Sequence, residues 1–174
     1  MKQNFFDKVV SLNNTKVNVI VEISGNHQSS YSILKKLVNK AIKNKADIIK
    51  FQVYKPETIT FNSNNKDFKV EKTSKWSNYK NLFELYKDAH TPWEWIAKIA
   101  KYLNAIQFPW FASVFDDTSI DFLENLNCKA YKLASPEITD ISLIKKIAKT
   151  KKPIILSTGV SEENDISLAI NTIK

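Results

Sequence analysis

Arginine is absent from this sequence and cysteine nearly so: all 26 basic residues are lysines, and Cys128 is the single thiol. With one cysteine, no internal disulfide and no cysteine-based zinc cluster can form, which fits a reducing compartment, with the cytoplasm as the default. The missing arginine bears on nucleic acid. A net charge of +8 would suit a polyanion, yet bidentate contacts to bases and phosphates are the business of arginine. The lysines are also dispersed among 18 acids. Their abundance, with that of Asn and Ile, reads as a coding bias toward A and T and as solvated helix faces, so no nucleic-acid partner is expected.

Long apolar runs are missing as well. The N-terminal MKQNFFDKVVSLNNTK has no continuous apolar stretch of the kind that marks export. No later segment approaches the roughly 18 uninterrupted apolar residues of a membrane span. A soluble, unexported chain with no membrane contact is the expectation. Histidine is limited to His27 and His90, too few to ligate a metal by themselves. His27 reads more simply as a hydrogen-bonding structural residue. No low-complexity tract or short-period repeat is present.

What the chain does have is core material. At 174 residues and 43% hydrophobic, it can build one sizeable core, as a single domain or part of a larger one. Runs rich in β-branched residues at VNVIVEIS (17–24), DIIKFQV (47–53), PWFASVF (109–115), AYKLAS (130–135) and PIILSTG (153–159) predict strands. Helical periodicity marks SILKKLVNKAIKNK, TPWEWIAKIAKYLNA, SIDFLENLN, ISLIKKIAKTK and EENDISLAINTIK between and after them. Thr91 before Pro92 reads as a helix N-cap, and Ser161 before Glu162 and Glu163 as another start. Regular alternation implies an α/β fold with a parallel sheet.

Residues 54–90 break that alternation. They are long, rich in Asn and Lys, and carry Trp76, Tyr79, Phe83 and Tyr86. The segment is either a surface excursion held down by its aromatics or a cover over a substrate.

Polar residues fall toward the C-terminal ends of the predicted strands: Glu22 and Ser24, Lys50 and Gln52, Ser113, Lys132 and Ser135, Ser157 and Thr158. Taken singly, each has a bland explanation, a satisfied hydroxyl or a lysine reaching water. Together they line the rim where parallel α/β folds build their sites. Two ammonium groups with several hydroxyls suit a small, multiply anionic ligand such as a phosphorylated carboxylic acid. Glu22, followed by SGNH with Asn26 and His27, could bind sugar hydroxyls or transfer protons.

The segments VEISGNH, KADIIKFQVYKPETI, ELYKDAHTPWEW and AYKLASPEITDISLIKKIAKTKKPIILSTG together resemble the sialic acid synthase family, in order and in spacing. The stretch FNSNNKDFKVEKTSKWSNYKNLFELYKDAHTPWEW looks most like the branch that makes pseudaminic acid. The resemblance runs from about Val17 onward. It implies an incomplete (β/α)8 TIM barrel of about five βα units out of eight, with residues 1–174 as the N-terminal portion of a synthase barrel and no C-terminal antifreeze-like domain.

The resemblance further implies condensation of phosphoenolpyruvate with an open-chain six-carbon amino sugar, with a divalent metal, Mn2+ or Mg2+, whose histidine ligands lie on later strands absent from this sequence. Carried over by position, Glu22, Lys50 and Lys132 would be catalytic, and Asn26, Gln52, Ser113, Ser135 and Ser157 would bind substrate. No metal ligand is carried over. A homo-oligomer is implied for the full-length family, or a complementary chain here.

Four places depart from the family pattern. The usual Ser/Thr-Pro-Phe of the third strand reads Ser113-Val114-Phe115, and an Asn-His-Asn/Ala-Gly loop reads NHQS. Ile96 stands where a histidine is expected, and the Gly-Gly before Trp76 is missing. Two other readings stay open. One is a class I aldolase-like enzyme in which Lys50 or Lys132 forms a Schiff base, which needs an amine of lowered pKa. The other is a half-barrel that binds a partner or an anionic ligand without turnover.

Overall fold

A computed structural model describes residues 17–174; the reading of the N-terminal MKQNFFDKVVSLNNTK lies outside them. Five strands, β1 (Ile20–Glu22), β2 (Ile48–Val53), β3 (Trp110–Val114), β4 (Tyr131–Leu133) and β5 (Ile154–Leu156), form one sheet in sequential order. Every pairing is parallel. Helices α1 (Tyr31–Lys43), α4 (Trp93–Ala105), α5 (Asp117–Asn125) and α6 (Ile141–Lys149) connect successive strands, and α7 (Glu163–Ile173) follows β5. This is the arrangement of five consecutive units of a (β/α)8 barrel.

Alternate residues of each strand share a face. Ile49, Phe51 and Val53 of β2, Trp110, Ala112 and Val114 of β3, and Tyr131 and Leu133 of β4 belong to one buried cluster. Leu34 and Val38 from α1, Ile96, Ile99 and Leu103 from α4, Ile120 and Leu123 from α5, and Leu143, Ile144 and Ile147 from α6 complete it. The intervening strand residues carry the polar groups. Among the described residues both sheet margins lack a further strand, and exposed apolar side chains collect there: Val17, Val19 and Ile20 beside β1, and Val160, Leu168 and Ile170 around β5 and α7.

All five strands are shorter than the runs that predict them; Ser24 and Ser157 lie in the loops past β1 and β5, and Ser135 opens a 3-10 turn past β4. Two helix starts also differ from the sequence reading. The first turn of α4 is capped by the carbonyl of Pro92, which accepts from the Trp95 and Ile96 amides, while the Thr91 hydroxyl is turned to His27. For α7 the capping residue is Glu162, in a reciprocal box with Asp165.

Residues 54–90 are folded rather than structureless. They contain α2 (Pro56–Ile59), a short 3-10 turn (Lys66–Phe68) and α3 (Leu82–Ala89). Asn81 is their keystone: buried, it caps α3 by accepting from the Glu84 amide at 2.9 Å and reaches Asn62 and Asn64 with its amide nitrogen. At the near end, Thr58 donates at 2.9 Å to Asp116, which also caps α5 through the Ser119 amide. The hydroxyls and amide converging on Asp116 outweigh its burial and hold its carboxyl below the usual carboxylate range.

Candidate active site

The strand registers assemble the polar rim. Glu22 lies opposite Lys50, Gln52 opposite Ser113, and Ser113 opposite Lys132. Five of the predicted residues therefore occupy one face of the sheet, at its C-terminal side. Ser157 joins them: Ile155 is the register partner of Lys132, and two residues on, the Ser157 amide donates to the Leu133 carbonyl at 3.1 Å. Phe111, opposite Lys50, and Ile155, opposite Lys132, lie on the same face, so each lysine has an apolar neighbour in register.

Lys50 is ion-paired with Glu22, and the Ser24 amide donates to the other Glu22 oxygen at 3.3 Å. Lys132 forms no ion pair among the described residues. Burial lowers its pKa, and the charge of Lys50 lowers it further; Glu22 and Glu137 oppose the shift. Ser135 opens the 3-10 turn after β4 (Ser135–Thr139), and its hydroxyl would lie 3.7 Å from a Cβ placed on Gly159. The rims of β4 and β5 thus meet at these two residues.

Asn26 is less committed to this face. It is exposed, and its amide nitrogen donates back to the Ile23 carbonyl at 2.8 Å, closing the loop after β1.

Glu137 is the charged residue that sequence reasoning missed. Burial raises its pKa against the pull of Lys132, and its Oε2 is buried without a hydrogen-bond partner. The signal was its position five residues after Lys132, in the first turn after β4.

His27 is structural. It is fully buried, its Nδ1 accepts from the Ser29 amide at 3.2 Å, and so the ring proton sits on Nε2 and is donated to the Thr91 hydroxyl at 3.0 Å. Burial, chiefly, lowers its pKa. His90 directs Nδ1 at the Lys87 carbonyl, 2.7 Å away. No group of three or more His, Cys, Asp or Glu suited to a metal ion occurs among the described residues. These residues therefore do not by themselves fit the divalent metal that the resemblance implies. Cys128 is buried and pushed up to about 12, far from a reactive thiolate.

Pseudaminic acid synthase of Helicobacter pylori is 37% identical over 153 residues, 88% of this chain and 44% of that protein. Pseudaminic acid synthase of Campylobacter jejuni is 40% identical over 151 residues, 87% of this chain and 43% of that protein. The chain thus spans less than half the length of these curated relatives. In fold it is similar to the N-acetylneuraminic acid synthetase of Leptospira borgpetersenii solved in complex with citrate, with a TM-score of 0.75 at 23% identity, over 94% of this chain and 54% of that one. A model of the NeuB family matches residues 37–174, and the chain belongs to that family.

Proposed function

We propose that this chain is the phosphoenolpyruvate-binding part of a nonulosonic acid synthase, most similar to those that make pseudaminic acid. The observation that carries the reading is the pair of lysines on one face of the rim, one neutralised by Glu22 and the other, Lys132, half-buried and lacking a carboxylate partner. A partly desolvated ammonium beside a second one is poorly stable unless an anion arrives.

In this reading Lys50 and Lys132 hold the phosphate and carboxylate of phosphoenolpyruvate, and the hydroxyls of Ser113, Ser135 and Ser157 donate to phosphate oxygens. Gln52, beside Ser113 in register, and Asn26 bind polar groups of the two substrates. Glu22 holds the amino sugar once the incoming anion competes for Lys50. The reaction forms a bond from C3 of phosphoenolpyruvate to the sugar aldehyde carbon. Water adds at C2, and phosphate leaves the resulting tetrahedral centre. The lysines stabilise charge throughout, and Glu137, held toward its neutral form, can supply or store a proton near Lys132. A divalent metal polarising the aldehyde would need ligands beyond the described residues, and no step here runs through one.

Calorimetric titration of the chain with phosphoenolpyruvate tests the reading. Binding is expected, weakened about tenfold or more in Lys132→Ala, the scale of one charge-assisted hydrogen bond. Equal affinity in the two proteins would refute the assignment. A second reading is favoured by the lowered pKa of Lys132 itself, the property that a Schiff-base aldolase requires. Borohydride trapping with pyruvate separates the two: the synthase reading expects no mass adduct at Lys132, the aldolase reading a stable one.

A further inference from the structure

The loop after β1 is bent against its own preferences. Ser24, Gln28 and Ser29 all have left-handed φ values, of 46, 50 and 52°, although none is glycine. Ser29 stands where the family pattern carries glycine, the residue that adopts this conformation freely. The loop is pressed so closely on the end of α3 that a Cβ on Gly25 would come within 2.8 Å of the Ala89 carbonyl oxygen.

The segment Asp88–Thr91 supplies what holds it. The Ser29 hydroxyl lies 2.9 Å from the Asp88 Oδ1 and 3.0 Å from the Asp88 carbonyl oxygen. The second carboxylate oxygen of Asp88 accepts from the Tyr79 hydroxyl. Two residues before Ser29, His27 closes the other side of the loop on Thr91, its ring edge-on to Trp95 at 5.7 Å. Tyr79, Asp88 and Thr91 all belong to the long segment between β2 and α4, whereas His27 and Ser29 follow Glu22 and Asn26 in the loop after β1.

We propose that Asp88 is a positioning residue: bridging Tyr79 and Ser29, it makes the excursion of residues 54–90 the mould that sets the conformation of the loop after β1. The side chain touches none of the site residues itself. It acts through the loop, replacing with a hydrogen bond the conformational freedom that glycine would have provided at position 29. The composition of the excursion therefore reaches the site by way of this bridge, which gives a segment of the chain remote from the lysines a say in how Asn26 and Glu22 are presented. The coupling stands on geometry alone; its bearing on sugar selection rests on the function proposed above.

Hydrogen exchange measured by mass spectrometry on the 174-residue chain without ligand tests the bridge, with β2 and β3 peptides as the internal check that the fold is intact. In Asp88→Ala, amides of residues 24–30 and 76–87 are expected to exchange faster together, by about tenfold. Asp88→Asn should restore slow exchange, because its oxygen still accepts from Ser29 and its amide can donate to the Tyr79 oxygen. Ser29→Gly should loosen the loop less than Ser29→Ala does. Tyr79→Phe, which removes one exposed hydroxyl and leaves the core untouched, should loosen the excursion and, more weakly, the loop. If the excursion loosens in Asp88→Ala or Tyr79→Phe while residues 24–30 exchange as before, the coupling is overturned. Failure to bind phosphoenolpyruvate would sink the functional reading and leave this result unaffected.

Discussion

Glu22 and Lys50 face each other in direct register on adjacent parallel strands and are ion-paired, whereas Lys132, two strands further on the same face, forms no ion pair among the described residues. The two lysines are therefore electrically unequal before any ligand arrives. One is already neutralised and the other is depressed by burial and by its neighbour.

That inequality predicts proton uptake. Lys132 has a pKa below 10.5 in the free protein, and an anion seated beside it must raise it again. In the window between the two values, binding draws a proton onto the amine. Calorimetric heats of phosphoenolpyruvate binding, compared in two buffers of different ionisation enthalpy, should show a proton uptake that grows as pH rises toward 10.5. Lys132→Met should abolish the difference. Uptake that stays flat with pH would remove Lys132 from the anion site.

Glu22→Gln should act in the opposite sense from a lysine substitution. With the carboxylate gone, the charge of Lys50 is uncompensated. The pair is partly exposed, at 16% and 31% for the two side chains, so solvent screens much of its energy. The gain in phosphoenolpyruvate affinity is then about threefold to tenfold at low salt, on the order of 1 kcal/mol, and shrinks as salt is added. Lys50→Gln should weaken the same titration. Weakening by both substitutions would mean that Glu22 supports the anion site rather than competing for it.

The sheet and its polar face were legible because period-two alternation survives in short pieces: IIKFQV and YKL each set charged or polar residues between buried ones. Parallel register then needed only the strand order. What was not legible depends on partners distant in the chain. Thr91 has the sequence signature of a cap, but its hydroxyl accepts from His27, 64 residues away. Helix α3 is capped by Asn81, whose other bonds go to Asn62 and Asn64, and nothing local marks that meeting. Glu137 reads as a surface acid beside a proline, and only the structure shows that its Oε2 is buried and within the electrostatic reach of Lys132.

Ile96, where the resemblance leads to the expectation of a histidine, is 1% exposed and belongs to the core cluster. Restoring the family residue here should therefore harm this chain. Ile96→His places a polar ring among Ile99, Ala100 and Leu103 on the same helix, and the cost is about 2–4 kcal/mol. Ile96→Val should cost only about 1 kcal/mol. Urea unfolding followed by circular dichroism measures both. A neutral Ile96→His would show that the pocket around α4 still accepts the ring, with a hydrogen-bond partner waiting for it.

His27 makes the fold sensitive to mild acid. Its neutral ring is required twice, since Nδ1 must accept from Ser29 while Nε2 donates to Thr91, and its folded pKa lies below the ordinary 6.5. The folded state therefore binds fewer protons than the unfolded one in this range. The stabilisation is fully present above the unfolded value and is lost as pH falls from about 6.5 toward the folded value, beneath which the penalty stays constant. Two other titrating groups act on it in opposite directions: His90 lowers the pKa and Asp88 raises it. Urea midpoints between about pH 5 and pH 8 should thus slope downward on the acid side, less steeply in His90→Asn, because removing that charge lets the folded pKa of His27 rise toward its unfolded value. In His27→Gln the contribution of this ring to the slope should vanish, with stability at neutral pH lower by about 1–2 kcal/mol for the hydrogen bonds lost. A slope that survives intact in His27→Gln would show that this ring is not the source of the acid sensitivity; Asp88 and Asp116, both held below the usual carboxylate range, titrate at lower pH than this window.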